Sequence, residues 1–240
     1  MTNINSLAVR YDRGSPTIVV VNESSDVDAP ELRRAIAAIQ KQVDRDFFPL
    51  WGWRAELMFE PDRIPARAMR ITIKESDEDD DLGYHFIDAL PRTEVFTRDS
   101  AGKRYREYYS TLSHEVLEMI ADPGVNLYAL GYYIRHKRHY RAWIPYEVCD
   151  PVEDKEYQIS GFPMSDFVVP EWFEPEREPR SMRFSFCDSI NRPFAMTSGG
   201  YIDAIVGTKV RTVWGGRANR KRRRHRLQAR KRVLRSLGLH

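Results

Sequence analysis

Cysteine is scarce in this chain: Cys149 and Cys187 are the only two in 240 residues, too few for a disulfide framework. No run approaches the ~20 consecutive apolar residues that cross a bilayer. The opening MTNINSLAVRYDRG also lacks the basic-then-apolar order of an export signal. A soluble, cytoplasmic chain with both thiols reduced is expected. No GxxxxGK[ST] loop and no G-x-S-x-G elbow occurs, which excludes a P-loop nucleotidase and a serine hydrolase of the elbow type. There is no internal repeat.

Acidic residues are missing beyond Asp203, while 11 Lys and Arg fall between Arg217 and Arg235. That leaves 27 basic against 35 acidic residues in 1–216, a net −8. An acidic body of residues 1–216 and a basic tail of residues 217–240 follow, with different partners. A chain that is 42% hydrophobic and 12% aromatic closes one sizeable core with a small appendage rather than two full domains.

The run TIVVV (17–21) reads as a buried strand, and NESSDVDAP supplies a turn and a helix start. Leu32, Ile36, Ile39, Val43 and Phe47 then recur at helical steps, predicting a helix over 30–48 with one face on a core. AELMFE (55–60) and AMRITIK (68–74) read as strands. ESDEDDD (75–81) is a solvated acidic loop without the spacing of a calcium site, and 83–102 reads as an irregular edge strand and loop. A second helix runs from Arg104 to Ala121, where Asp122-Pro123-Gly124 stops it. Strand-like pieces follow at 126–134 and 143–149. The rest consists of short apolar pieces broken by Pro and Gly, the pattern of irregular wrapping around a core.

The second helix carries SHEVLEMIADP (113–123). His114 and Glu118 lie four residues apart, so they project from one helix face about a turn apart and can grip one divalent ion. Glu115 is rotated ~100° from His114, where a carboxylate reaches the attacking water without being a ligand. Leu112, Val116, Leu117, Met119 and Ile120 surround these polar residues, so the helix should be buried, and buried carboxylates need a partner. A catalytic zinc needs a third protein ligand. Glu147 and Asp150, in the strand-to-turn segment PYEVCDPVE, are the leading candidates; Asp122, Cys149 and Glu153 are the others.

The order strand, helix, strand, strand, edge strand, then a helix with H-E-x-x-E resembles the N-terminal half of the zincin metallopeptidase fold. His114 to Glu118, Asp122-Pro123, Trp143, and Glu147 with Asp150 are similar to a pattern in zincin-like proteins, including the plant exordium group. The resemblance implies an α+β fold: a mixed sheet of four to five strands on two main helices, followed by an irregular C-terminal part. It also implies one Zn²⁺ held by His114, Glu118 and a downstream carboxylate, with Glu115 as general base in peptide or amide hydrolysis. Tyr201, Tyr146, His85 and His136 are candidates to steady the oxyanion. The second histidine of the peptidase motif is replaced by Glu118. The alternative is therefore an inactive zincin-like binding or structural protein, such as a nucleoprotein or virion component.

The tail offers a separate chemistry. Arg220, Lys221, Arg222, Arg223, Arg224, Arg226, Arg230, Lys231 and Arg232 form a block with no acidic residue, following a Gly-Gly hinge. Such a block resists packing into a core and suits nucleic acid phosphates or another polyanion. With the body at −8, the tail should dominate any nucleic acid affinity.

Overall fold

The structure is a computed structural model and describes residues 15–76, 83–87, 90–105, 108–135, 138–174, 183–207 and 209–216. Strand β1 (Thr17–Asn22) lies between β2 (Glu56–Phe59) and β3 (Met69–Lys74) and pairs with both in parallel. A parallel pair needs a long crossover, and helix α1 (Ala29–Gln42), a π turn at Val43–Phe47 and the short α2 (Phe48–Trp51) supply it. The Asp28 side chain caps α1 by accepting the Glu31 N–H at 2.9 Å. At the far end Gly52 takes a left-handed φ of 70° and donates its N–H to the Phe48 carbonyl at 2.8 Å. The apolar stripe behaves as its spacing predicts: Leu32, Ile36, Ile39, Val43 and Phe47 are all buried.

The edge region foreseen over 83–102 resolves into two strands. β5 (Pro91–Phe96) continues the parallel sheet beside β3, and β4 (Gly83–Ile87) closes it as an antiparallel edge. The sheet order is β2-β1-β3-β5-β4. Ile18, Val19 and Val20 are all fully buried, as a central parallel strand covered on both faces requires. The fold is thus mixed α and β, with a five-stranded mixed sheet and two main helices, α1 and α3 (Tyr108–Ala121).

The C-terminal half is more regular than its Pro- and Gly-broken sequence suggests. β6 (Tyr128–Arg135), β7 (Arg138–Pro145), β10 (Tyr201–Val206) and β11 (Lys209–Trp214) form a four-stranded antiparallel sheet in the order β11-β10-β7-β6. β8 (Glu156–Ile159) and β9 (Phe162–Ser165) make a separate hairpin. The irregular segments between them are tied down by indole N–H groups: Trp51 donates to the Val168 carbonyl at 3.0 Å and Trp172 to the Ala195 carbonyl at 2.8 Å. Both cysteines are free, Cys149 buried and Cys187 exposed. Among the described residues no helix is long and apolar enough to cross a membrane.

One polar network sets α3 within this core. Ser113 donates to the Gln42 amide oxygen, Gln42 donates to the Ser165 carbonyl, and the Ser165 N–H donates to the Ser113 hydroxyl, each at 2.9 Å. Gln42 and Ser113 are wholly buried, so the closed triangle leaves no polar group unsatisfied while linking α1, α3 and β9. It fixes the helix one residue before His114.

Candidate metal centre

Helix α3 is buried on nearly every side, and its polar residues share that burial. His114, Glu115 and Glu118 retain only 8%, 6% and 4% of their exposure. The one-turn spacing brings the Nε2 atom of His114 to 3.1 Å from a carboxylate oxygen of Glu118. The segment after β7 then turns back over the helix, as a downstream ligand requires. Its 3-10 turn at Asp150–Val152 carries the buried Asp150, with Oδ1 3.4 Å from the same Nε2.

Neighbouring contacts hold this turn in place. The Cys149 N–H donates to the other Glu118 oxygen at 3.1 Å, and its Sγ lies 3.8 Å from the His114 carbonyl. Val168 donates its N–H to the Val148 carbonyl at 2.7 Å, and Thr197 donates to the Pro151 carbonyl at 2.9 Å. Gly200 packs so tightly here that a Cβ would stand 2.0 Å from the Pro151 oxygen. The next residue, Tyr201, is buried with its hydroxyl hydrogen-bonded to Asp150.

The electrostatics are lopsided. Burial, the largest single effect on His114, disfavours the imidazolium; Glu118, Asp150 and Glu115 outweigh it and hold the proton well above the ordinary histidine range. Burial also pushes the Glu147 carboxyl well up, reinforced by Glu118, Asp150 and a hydrogen bond to Glu118. The Cys149 thiol is raised by burial and by Glu118. Glu118, Asp150 and Glu115 thus act on one imidazole, and Glu118 and Asp150 also act on Glu147. Such a group holds protons or a cation, because unpaired buried anions are too costly.

A cation fits the donor set. A tetrahedral ion with ligands at about 2.0–2.1 Å sets neighbouring ligand atoms about 3.3 Å apart, close to the 3.1 and 3.4 Å separations around His114 Nε2. One ligand atom each from His114, Glu118 and Cys149 also lie within 4.8 Å of one another. Both downstream carboxylates named from the sequence reach the centre, Asp150 facing His114 and Glu147 bonded to Glu118.

Other candidates have different tasks. Asp122 accepts the N–H groups of Asn126 at 3.0 Å and Leu127 at 2.8 Å, so it caps the loop after α3; burial raises its carboxyl to about 6. Glu153 follows in the same turn, where its N–H meets the Asp150 carbonyl. Tyr146 stacks on Phe173 at 4.2 Å and 5°, a packing role, whereas Tyr201 reaches Asp150. The side chain of His85, the whole of His136 and the nine basic tail residues lie outside the described residues. Sequence reasoning missed Gln42, Ser113 and Ser165; the available signal was Gln42 itself, a polar residue three positions after Ile39 on the apolar face of α1. No family model, no curated protein and no solved structure matches the chain.

Proposed function

We propose that this chain is a metal-dependent hydrolase of the zincin-like kind, acting on peptide or related amide bonds, with a zinc ion held by His114, Glu118 and Asp150. The observation that carries this reading is the convergence of the H-E-x-x-E pair of α3 and the turn at Asp150 on a single imidazole nitrogen. The mixed sheet with its antiparallel edge strand, preceding the motif helix, supports the same resemblance. Asp150 is preferred to Cys149 as third ligand because the Cys149 thiol lies against the His114 carbonyl.

When bound, the ion supplies Lewis acidity for a water and for the substrate carbonyl. The protein's own groups account for the rest. Glu115, beside His114 and buried, accepts a proton from the attacking water and passes it to the leaving amine. Glu147 neighbours Glu118 and adjusts the charge around that ligand. The Tyr201 hydroxyl, hydrogen-bonded to Asp150, would steady the developing oxyanion.

The test is cleavage of a broad peptide library by wild type and Glu115→Gln, each assayed for metal. The glutamine variant should keep its ion and lose roughly 10²- to 10⁴-fold in rate, the range of general acid–base catalysis. A metal-loaded wild type that cleaves nothing would remove the hydrolase reading and leave a metal-stabilised binding protein.

A further inference from the structure

The segment TSGGY (197–201) contains the pair Gly199-Gly200, and neither glycine has a φ in the left-handed region; nor does Gly215. What requires glycine at these positions is therefore close approach rather than backbone conformation. A Cβ at Gly200 would stand 2.0 Å from the Pro151 oxygen, and one at Gly199 would stand 2.4 Å from the Asp154 Cβ. One at Gly215 would stand 1.9 Å from the Thr197 oxygen. Three lengths of chain thus stack in direct contact: the turn that carries Asp150, the loop 197–200, and the residues just past β11.

The loop grips both the backbone and the side chain of that turn. The Thr197 N–H donates to the Pro151 carbonyl at 2.9 Å, and its hydroxyl is shared between that carbonyl and the Asp154 carboxylate. From behind, the Gly215 N–H donates to the Gly200 carbonyl at 2.9 Å. Tyr201, which opens β10 in register with Trp214 of β11, places its hydroxyl on the Asp150 side chain. The loop therefore stands on a paired hairpin, a rigid base for a site. Thr197 and Gly200 are both buried, so water does not stand in for these bonds. Relieving a Cβ at Gly200 to 3.0 Å would open the stack by about 1 Å, whereas metal–ligand distances tolerate only about 0.2 Å.

We infer that Thr197 and Gly200, backed by Gly215, are positioning residues for the Asp150 carboxylate and set its distance from His114. The inference rests on the proposed role of Asp150 as third metal ligand. A loop that only packed would tolerate a shift of the turn at some cost in stability; a loop that positions a ligand does not, because the ion reads the shift directly. The same stack joins the start of the basic block to the centre, since the chain runs from Gly215 and Gly216 straight into Arg217.

The experiment uses the full chain and three readouts: zinc affinity by competition with a chromophoric chelator, the visible absorption of bound Co²⁺ as a report of ligand geometry, and melting temperature. Thr197→Val keeps the side-chain shape and removes the hydroxyl. It should lower zinc affinity about ten-fold, the lower end for a group that supports a ligand, and alter the Co²⁺ spectrum. Thr197→Ser, which retains the hydroxyl, should restore both. Gly200→Ala should lower zinc affinity further. The control is Gly207→Ala, at a φ of 60° with open space around it in the β10–β11 turn: it should lower the melting temperature and leave zinc affinity and the Co²⁺ spectrum as in wild type. Wild-type affinity and spectrum in Thr197→Val would overturn the inference, whether or not Gly200→Ala folds. So would an equal loss of zinc affinity in Gly207→Ala, which would make stability the cause. A wild type that takes up neither Co²⁺ nor Zn²⁺ would remove the metal centre itself and the inference with it.

Discussion

His114 meets opposing demands, since burial disfavours its charged form while Glu118, Asp150 and Glu115 stabilise it. A bound divalent ion would resolve the conflict by replacing one proton with two positive charges, and its affinity should fall as pH is lowered because protons compete for the same atoms. The His114–Glu118 pair was legible because one-turn spacing is a local property of helices. The proposed third ligand was not, because Glu147, Cys149 and Asp150 lie within four residues and only the turn of the backbone separates their directions. That turn is set from afar, by Val168, Thr197 and the close approach of Gly200. We expect Asp150→Asn to lower zinc affinity more than Glu147→Gln, whose loss should stay within the about 10- to 100-fold of a residue that only bonds a ligand, measured by competition with a chromophoric chelator. The reverse order would make Glu147 the ligand; loss only in Cys149→Ser would favour the thiol.

Between elements, two polar clusters tie the fold together. Ser113→Ala leaves the Gln42 amide oxygen and the Ser165 N–H without their bonds to its hydroxyl in a dry core, and should lower stability by about 2 kcal/mol or more in denaturant titration. A loss under about 0.5 kcal/mol would mean that the triangle does not set α3. The second cluster joins the β1–α1 loop to the end of β5: Asp26, its side chain 5% exposed, accepts from Arg98, Arg104 and Thr97. The hydrogen bond from Arg98, chief among these, holds the Asp26 carboxyl below its ordinary 3.8. A depressed carboxyl adds stability that is present above the ordinary value and lost as pH falls through the folded-state value. Asp26→Asn should therefore melt lower than wild type at pH 7, with the gap closing in acid below pH 3.8. A gap independent of pH would show that packing rather than charge is at stake. The sequence displayed the α1 stripe and β1 through β3 by periodicity alone. It concealed the β10–β11 hairpin, because the Gly207 turn stands among Gly- and Pro-broken pieces that read as irregular.

Across the molecule, charge and chemistry are distributed over separate elements. The carboxylates of α3 and the turn after β7 gather at the centre, while residues 217–240 hold a block of 11 Lys and Arg in the sequence. Net charge per segment revealed the tail, whereas the four-stranded sheet needed pairing between distant segments, β7 with β10, to be seen. Metal content of the purified chain by elemental analysis tests the proposed metal centre, for wild type beside His114→Ala and Glu118→Ala at matched folding by circular dichroism. We expect close to one zinc per chain in wild type and its loss from both variants. Equal metal content in all three, or folded wild type that takes up no divalent ion when zinc is supplied, would contradict it.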